Sequence, residues 1–375
     1  MIKIKGVSSM IEFKKYEEES IVLNPLKNYE KEVHKVEARV DPLTGFISFV
    51  RRGRRFWSFM YKTDYQQIER LLFETKDRCV FCPHMVEEKT PVFSEDFIPE
   101  KRLRRNEAIL IPNLFPHKAH SAIVVLSQKH YLRLDEFSEN LLFDALIVSD
   151  EFIRRVYEKY RVEYAQIGAN YLYPAGSSIV HPHIQVTLSK FPYTLIALYQ
   201  ERARAFFEEK GVNYFEALIE AEKRIDERFI SELGAVVFLS PFAPIREDQV
   251  DGIVRKKTSF LDFKEEDWKN IATGISLVLK AYAHKGLSAF NFAIYSGPLG
   301  AKLPYITCGL KVVSRTSVQL FPVSDTWFAN SLLLEGLVVE APEEVAKFMK
   351  QYFHNLSANE PKECCTSRNL RRIFS

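Results

Sequence analysis

Apolar and polar positions alternate along this chain in two runs of similar order. Residues 107–111 and 121–126 read as strands, closed by Pro112-Asn113-Leu114-Phe115-Pro116 and by Ser127-Gln128-Lys129-His130. A helical period follows over residues 134–160 with one interruption. Residues 164–173 and 181–188 are again strand-like, with the turn Pro174-Ala175-Gly176 between them. Residues 65–76 read as a helix, and residues 193–230 as a highly charged helical connector on the outside. Beyond the connector the order returns: a strand at 234–239 closed by Ser240-Pro241-Phe242-Ala243-Pro244, a helix at 263–283, a strand at 290–295 and the turn Ser296-Gly297-Pro298. Finally, Arg315-Thr316-Ser317-Val318-Gln319-Leu320 falls on His181-Pro182-His183-Ile184-Gln185-Val186. The pattern predicts an α+β fold of two tandem half-repeats with antiparallel sheets and packed helices. The second copy keeps a Gln and lacks both histidines, so the first is expected to carry the chemistry. The divisions are 1–38 as an N-terminal arm, 39–190 as the catalytic half, 191–232 as the connector, 233–355 as the degenerate half and 356–375 as a tail.

A length of 375 residues exceeds what one small core needs. The formal net charge of +3 is spread without a single-sign tail, so overall charge implies neither nucleic acid nor membrane as a partner. The N-terminus lacks the apolar stretch of a signal peptide, and no apolar run approaches the length of a membrane span. The expected location is therefore cytoplasmic, where thiols stay reduced. Of the five cysteines, Cys79 and Cys82 form a C-x-x-C; Cys308, Cys364 and Cys365 carry no clear message. A reduced C-x-x-C is a metal or redox signal before it is a disulfide. This one precedes a charged loop rather than opening a helix after a strand, which favours metal.

Tetrahedral zinc takes four N or S ligands, and a close pair with two distant ones staples separate segments. Cys79 and Cys82 supply the close pair. His130 and His181 lie at strand ends in the same half and complete the set, anchoring the strand that carries His183. His84, His117 and His120 are competing ligands, read as surface or rim residues. In an extended segment His181 and His183 point to the same face, and Pro182 between them stiffens the backbone. Such a pair can divide its work, one imidazole holding a metal while the other attacks an electrophile. Further upstream, Arg39 to Gly45 runs into a D-P-x-x-G turn, and Arg51-Arg52-Gly53-Arg54-Arg55 is either a solvated loop or a phosphate-binding one.

Taken in order, the Arg39 to Gly45 stretch with its basic sequel, the Cys-x-x-Cys, Asn113-x-Phe115-Pro116, the Asn170 to Ser178 turn and His181-Pro182-His183-Ile184-Gln185 resemble the galactose-1-phosphate uridylyltransferase branch of the histidine-triad superfamily. That branch includes ADP-glucose phosphorylase-like members and is related to dinucleoside polyphosphate phosphorylases. The resemblance spans roughly residues 38–355. It implies zinc on Cys79, Cys82, His130 and His181, and a nucleophilic His183 that forms a nucleotidyl-histidine intermediate. It implies substrate contacts from Arg54, Asn113, Asn170, Gly176 and Ser178. Gln185 stands where histidine-triad hydrolases have a third His; it can hydrogen-bond phosphoryl oxygens but cannot protonate a leaving group, which favours transfer over hydrolysis. The implied activity is nucleotidyl transfer between a nucleoside diphosphate sugar and a sugar 1-phosphate. The alternatives are a phosphorylase that splits an ADP-sugar or dinucleoside polyphosphate with inorganic phosphate, and a catalytically silent, zinc-stabilised nucleotide-binding protein. A homodimer is expected from the resemblance alone. The second half lacks the His-rich strand for a further metal, and residues 327–340 lack the family's hexose-recognising cluster, so the sugar stays open.

Overall fold

The computed structural model describes residues 10–51 and 61–354. Arg52 to Arg55, Cys364 and Cys365 lie outside this range, so the expectation for Arg54 falls outside the described residues.

The charged N-terminal segment, expected as an arm, forms a long hairpin. Strands β1 (Lys14–Asn24) and β2 (Glu30–Val40) pair antiparallel from end to end. Asn24 caps the short turn between them by accepting from Leu26 N. At the D-P-x-x-G turn, Asp41 Oδ1 accepts from Leu43 N at 3.1 Å and Thr44 N at 2.7 Å. Gly45 there takes φ 78°, a conformation open to glycine because it has no Cβ. The turn delivers β3 (Ile47–Val50) back against β2.

Helices α1 (Tyr65–Thr75), capped by Asp64, and α2 (Val86–Lys89) flank the cysteine turn. Next come β4 (Leu103–Arg105), β5 (Ala108–Pro112), β6 (His120–Val125), α3 (Glu139–Tyr160), β7 (Tyr164–Tyr171) and β8 (His183–Ser189). The connector is two helices, α4 (Thr194–Lys210) and α5 (Tyr214–Ile225). The second half supplies β9 (Phe229–Leu233), β10 (Val236–Leu239), β11 (Val250–Val254), α6 (Glu265–His284), β12 (Phe290–Tyr295) and β13 (Gly309–Ser314). The last elements are α7 (Phe328–Leu332), β14 (Gly336–Val338) and α8 (Pro342–His354).

One ten-stranded sheet runs β4-β5-β6-β8-β7-β12-β13-β11-β10-β9, antiparallel throughout. Read outward from the β7–β12 junction, the order is the same on either side, as two copies of one β-β-β-α-β-β unit require. Strand alternation then sorts the side chains. Val124, Ile167, Ile184, Val186, Phe292, Leu310 and Val312 face α3 and α6 in the main core. Burying each such side chain contributes about 1.5–3 kcal/mol. The intervening residues of the same strands, His183, Gln185 and Thr187 with Gln166, Gly168, Asn170, Ala293, Tyr295 and Lys311, share the opposite face. There the connector covers the second half: Ile196, Tyr199, Ala203, Phe215 and Ile219 pack on Val237, Leu239, Ile253 and Tyr295. The first half's portion stays open.

The register of the second half differs from that read in the sequence. The strand paired with β12 is β13, which ends at Ser314. Arg315 follows its C-terminal end, whereas His181 precedes β8 and His183 opens it. The second-half stretch in the position of the His motif is Cys308-Gly309-Leu310-Lys311, which also lacks histidine. The sequence comparison slipped because Val318-Gln319 imitates Ile184-Gln185 while the pairing that fixes register is not written locally.

Candidate active site and metal cluster

Four buried side chains, Cys79, Cys82, His130 and His181, present ligand atoms that all lie within 4.8 Å of one another. A tight turn presents both cysteines, with Cys82 N donating to Cys79 O at 3.1 Å. His130 comes from the segment after β6 and His181 from the one before β8. Their Nδ1 atoms face the thiols: Cys82 Sγ lies 3.4 Å from His130 Nδ1 and 3.5 Å from His181 Nδ1, and Cys79 Sγ lies 3.7 Å from His181 Nδ1. The outer nitrogens are engaged elsewhere. His181 Nε2 donates to Ser127 O at 2.7 Å. His130 Nε2 lies 2.9 Å from Thr75 Oγ1, which itself donates to Leu71 O. Such outer bonds fix the tautomer that leaves Nδ1 free to bind a metal. Burial and the neighbouring Cys79 push the Cys82 thiol up to about 12, so deprotonating it calls for a cation. The donor set and its surroundings fit a tetrahedral metal. The competing histidines are elsewhere: His84 is exposed, His117 lies 3.3 Å from Tyr193 Oη, and His120 packs on the Tyr160 ring.

Two residues past His181, His183 begins β8. Its Nδ1 donates to His181 O at 2.8 Å, which leaves the Nε2 lone pair unprotonated and directed away from its own backbone. Burial lowers its pKa, so the ring is neutral at neutral pH. Phe81, from the cysteine turn, packs at 5.3 Å between ring centroids. The Cys and His cluster thus sits against both the strand start and the ring beside it.

A cleft of about 460 Å³ runs along the open sheet face from this row, lined by Asn170, Gln185, Gly168, Thr187, Gln166 and Tyr193 among others. Gly168 pairs with Gln185. Two residues further on, Asn170 falls in the row of His183. Asn170 does not stand alone: its Oδ1 accepts from Asn291 Nδ2 at 2.7 Å, and Asn291 Oδ1 accepts from Arg315 Nη1 at 2.7 Å. Arg315 is held in turn by Asp325, Nε to Oδ2 at 2.8 Å. The second half therefore reaches into the first half's site through an amide and a guanidinium. Sequence reading missed this relay, because nothing local marks Asn291 as the partner of Asn170 across β7 and β12.

The remaining sequence-derived positions lie around this row. After β7, Leu172 at φ 63° turns the chain into the loop that carries Gly176, at φ 85°, and the exposed Ser178. Asn113 lies in the loop between β5 and β6, with its side chain engaged there: Nδ2 donates to Ser121 Oγ at 3.1 Å and Oδ1 accepts from Phe115 N at 3.1 Å. It is not among the residues lining the cleft.

No family model matches the sequence. An uncharacterised protein of Archaeoglobus fulgidus is 33% identical over 324 residues, 86% of this chain and 93% of its own. An ADP-glucose phosphorylase of Arabidopsis thaliana is 25% identical over 237 residues, and the match spans 63% of that enzyme's length. Among solved structures, Arabidopsis ADP-glucose phosphorylase with bound ADP-glucose superposes with a TM-score of 0.64 at 20% identity, covering 84% of this chain and 99% of that one. A uridylyltransferase superposes with a TM-score of 0.61 at 15% identity, covering 85% and 98%. The fold is thus that of the uridylyltransferase-like, α+β class. The chain belongs to one family with the archaeal protein, and it shares the fold of the plant ADP-glucose phosphorylase and of the uridylyltransferase.

Proposed function

We propose that this protein is a nucleotidyltransferase that moves a nucleoside monophosphate between a nucleoside diphosphate sugar and a sugar 1-phosphate through a covalent bond to His183. The observation that carries this reading is the His183 imidazole, with Nδ1–H given to the His181 carbonyl and the Nε2 lone pair left free. In the first half-reaction Nε2 attacks the α-phosphorus, the N–P bond forms, and the P–O bond to the sugar phosphate breaks. The leaving group departs as a phosphate monoester and needs no proton. In the second, an acceptor phosphate oxygen attacks, the N–P bond breaks, and the lone pair returns to Nε2. Throughout, Nδ1–H stays on the carbonyl, which stabilises the positive charge the ring acquires. Gln185, on the same face two residues on, offers amide donors to the phosphoryl oxygens and no acid for a water-driven exit.

Cys79, Cys82, His130 and His181 would hold zinc, whose part is to fix the start of β8. Asn170, backed by Asn291 and Arg315, would contact the nucleotide beside His183; Gly176, Ser178, Asn113 and Arg54 are proposed on the family resemblance. The second reading is a phosphorylase with inorganic phosphate as acceptor, favoured by the sequence match to the plant ADP-glucose phosphorylase. A catalytically silent nucleotide binder is disfavoured, since it has no use for an oriented lone pair beside Gln185. Incubation with UDP-glucose or ADP-glucose labelled in the α-phosphate is expected to leave acid-labile, base-stable label on the wild type and none on His183→Ala. Release of that label by sugar 1-phosphate, and not by inorganic phosphate, separates the first reading from the second.

A further inference from the structure

The floor of the cleft holds a polar atom that the fold leaves without a partner. Gln166 is 8% exposed, and its Nε2 is buried with no hydrogen bond. It projects from β7 into the same cleft as Asn170 and Gln185. A buried amide donor is kept in a fold when something brought to it accepts the bond, because leaving it unmade costs free energy. Its position gives the kind of group. Gln166 is four residues from Asn170, roughly 13 Å along an extended strand, and Asn170 shares the row of His183. A nucleotide whose α-phosphorus sits at His183 spans such a distance with its base at the far end. Between the two ends, Gly168 and Ala293 leave the floor without bulky side chains, as a ribose lying flat on the sheet requires.

The wall above Gln166 is aromatic. Tyr193, at the start of α4, lines the cleft and is pinned by its hydroxyl, 3.4 Å from Thr187 Oγ1 and 3.3 Å from His117 Nε2. Lys118 Nζ lies 4.4 Å from its ring centroid. A ring fixed in this way offers a stacking surface at little cost in lost freedom.

We propose that Gln166 reads the edge of the nucleotide's base, its amide donating to a ring nitrogen or carbonyl oxygen, while Tyr193 walls the base in. An amide can meet a base edge that pairs an acceptor with a donor, the arrangement by which Gln recognises adenine elsewhere. This deepens the nucleotidyl-transfer reading and rests on it. The test is calorimetric binding of ADP, UDP and ribose 5-phosphate to the full-length wild type, Gln166→Leu, Gln166→Glu and Tyr193→Ala. Gln166→Leu should weaken the preferred nucleotide about tenfold or more, bring the ADP-to-UDP ratio towards one, and leave ribose 5-phosphate unchanged. Gln166→Glu keeps the side-chain shape, guarding against a fold defect, and should also change the ratio. Tyr193→Ala should weaken both nucleotides and spare ribose 5-phosphate. A ratio unchanged in both Gln166 variants, or equal loss of all three ligands, overturns the inference. If the wild type binds neither nucleotide, the nucleotidyl-transfer reading falls first; if it takes covalent label while Gln166 variants keep the ratio, only the base-reading role falls.

Discussion

At the scale of single residues, the chemistry turns on protons. His183 keeps one on Nδ1 and none on Nε2. Because burial lowers its pKa below the usual imidazole value near 6.5, label formation is expected to be level through neutral pH. It should fall only on the acid side, as the ring protonates; a rate that drops already between pH 8 and 7 would contradict the neutral ring. Gln185→His restores an acid to the third position and should shift part of the label from acceptor-dependent release to hydrolysis, measured as free nucleoside monophosphate. An unchanged hydrolysis rate would remove the role given to Gln185. Periodicity made the shared face of His181 and His183 legible, and residue spacing brought forward the two cysteines and two histidines that the fold gathers. Gln166, Asn291 and Arg315 were not legible. Their meaning lies in a missing partner or in partners on strands far apart in sequence, and neither leaves a local pattern.

At the scale of elements, the candidate metal cluster brings together the cysteine turn, the segment after β6 and the segment that leads into β8. Cys82→Ser should lower bound zinc from about one per chain towards none, read by metal analysis, and should lower the melting temperature. The metal-stripped protein should also be acid-sensitive. Burial lowers the His181 pKa to about 4. An unfolded histidine titrates near 6.5, so the unfolded chain binds more protons between these values. Stability is then complete above pH 6.5 and is lost as pH falls towards 4, by roughly 3 kcal/mol, measurable by denaturant titration across that range. A second staple is ionic. Arg39, 1% exposed, bonds Glu37 at 2.5 Å and Glu343 of α8 at 2.7 and 3.0 Å, tying the N-terminal sheet to the second half. Arg39→Ala leaves Glu37 with Lys15 at 3.3 Å and Glu343 with Arg228 at 3.2 Å as their remaining cations, and the loss of the shared guanidinium should lower the melting temperature. The strands from 107 to 188 could be read from pattern; β4, β9, β11 and β14, of three to five residues each, were not.

At the scale of the whole molecule, two similar halves share one sheet, but α4 and α5 cover the open face of the second and leave that of the first. The second half still acts, through Asn291 and Arg315, as a wall of the first half's site. The homodimer expected from the resemblance would have a surface to bury in Phe328, Leu332, Leu333, Leu334 and Leu337, all exposed in and between α7 and β14, an edge strand among the described residues. An apolar row on an open edge is a surface that monomers seldom leave bare. Sedimentation should give a dimer that Leu333→Asp disperses; a wild-type monomer would remove this part of the account. The central claim is the covalent bond to His183, and the most direct measurement is the intact mass of the protein after exposure to ADP-glucose or UDP-glucose without acceptor. The account predicts a gain of one nucleoside monophosphate, absent from His183→Ala and reversed by acceptor phosphate. A zinc-loaded wild type that gains no mass from either donor, or a gain that survives His183→Ala, would contradict it.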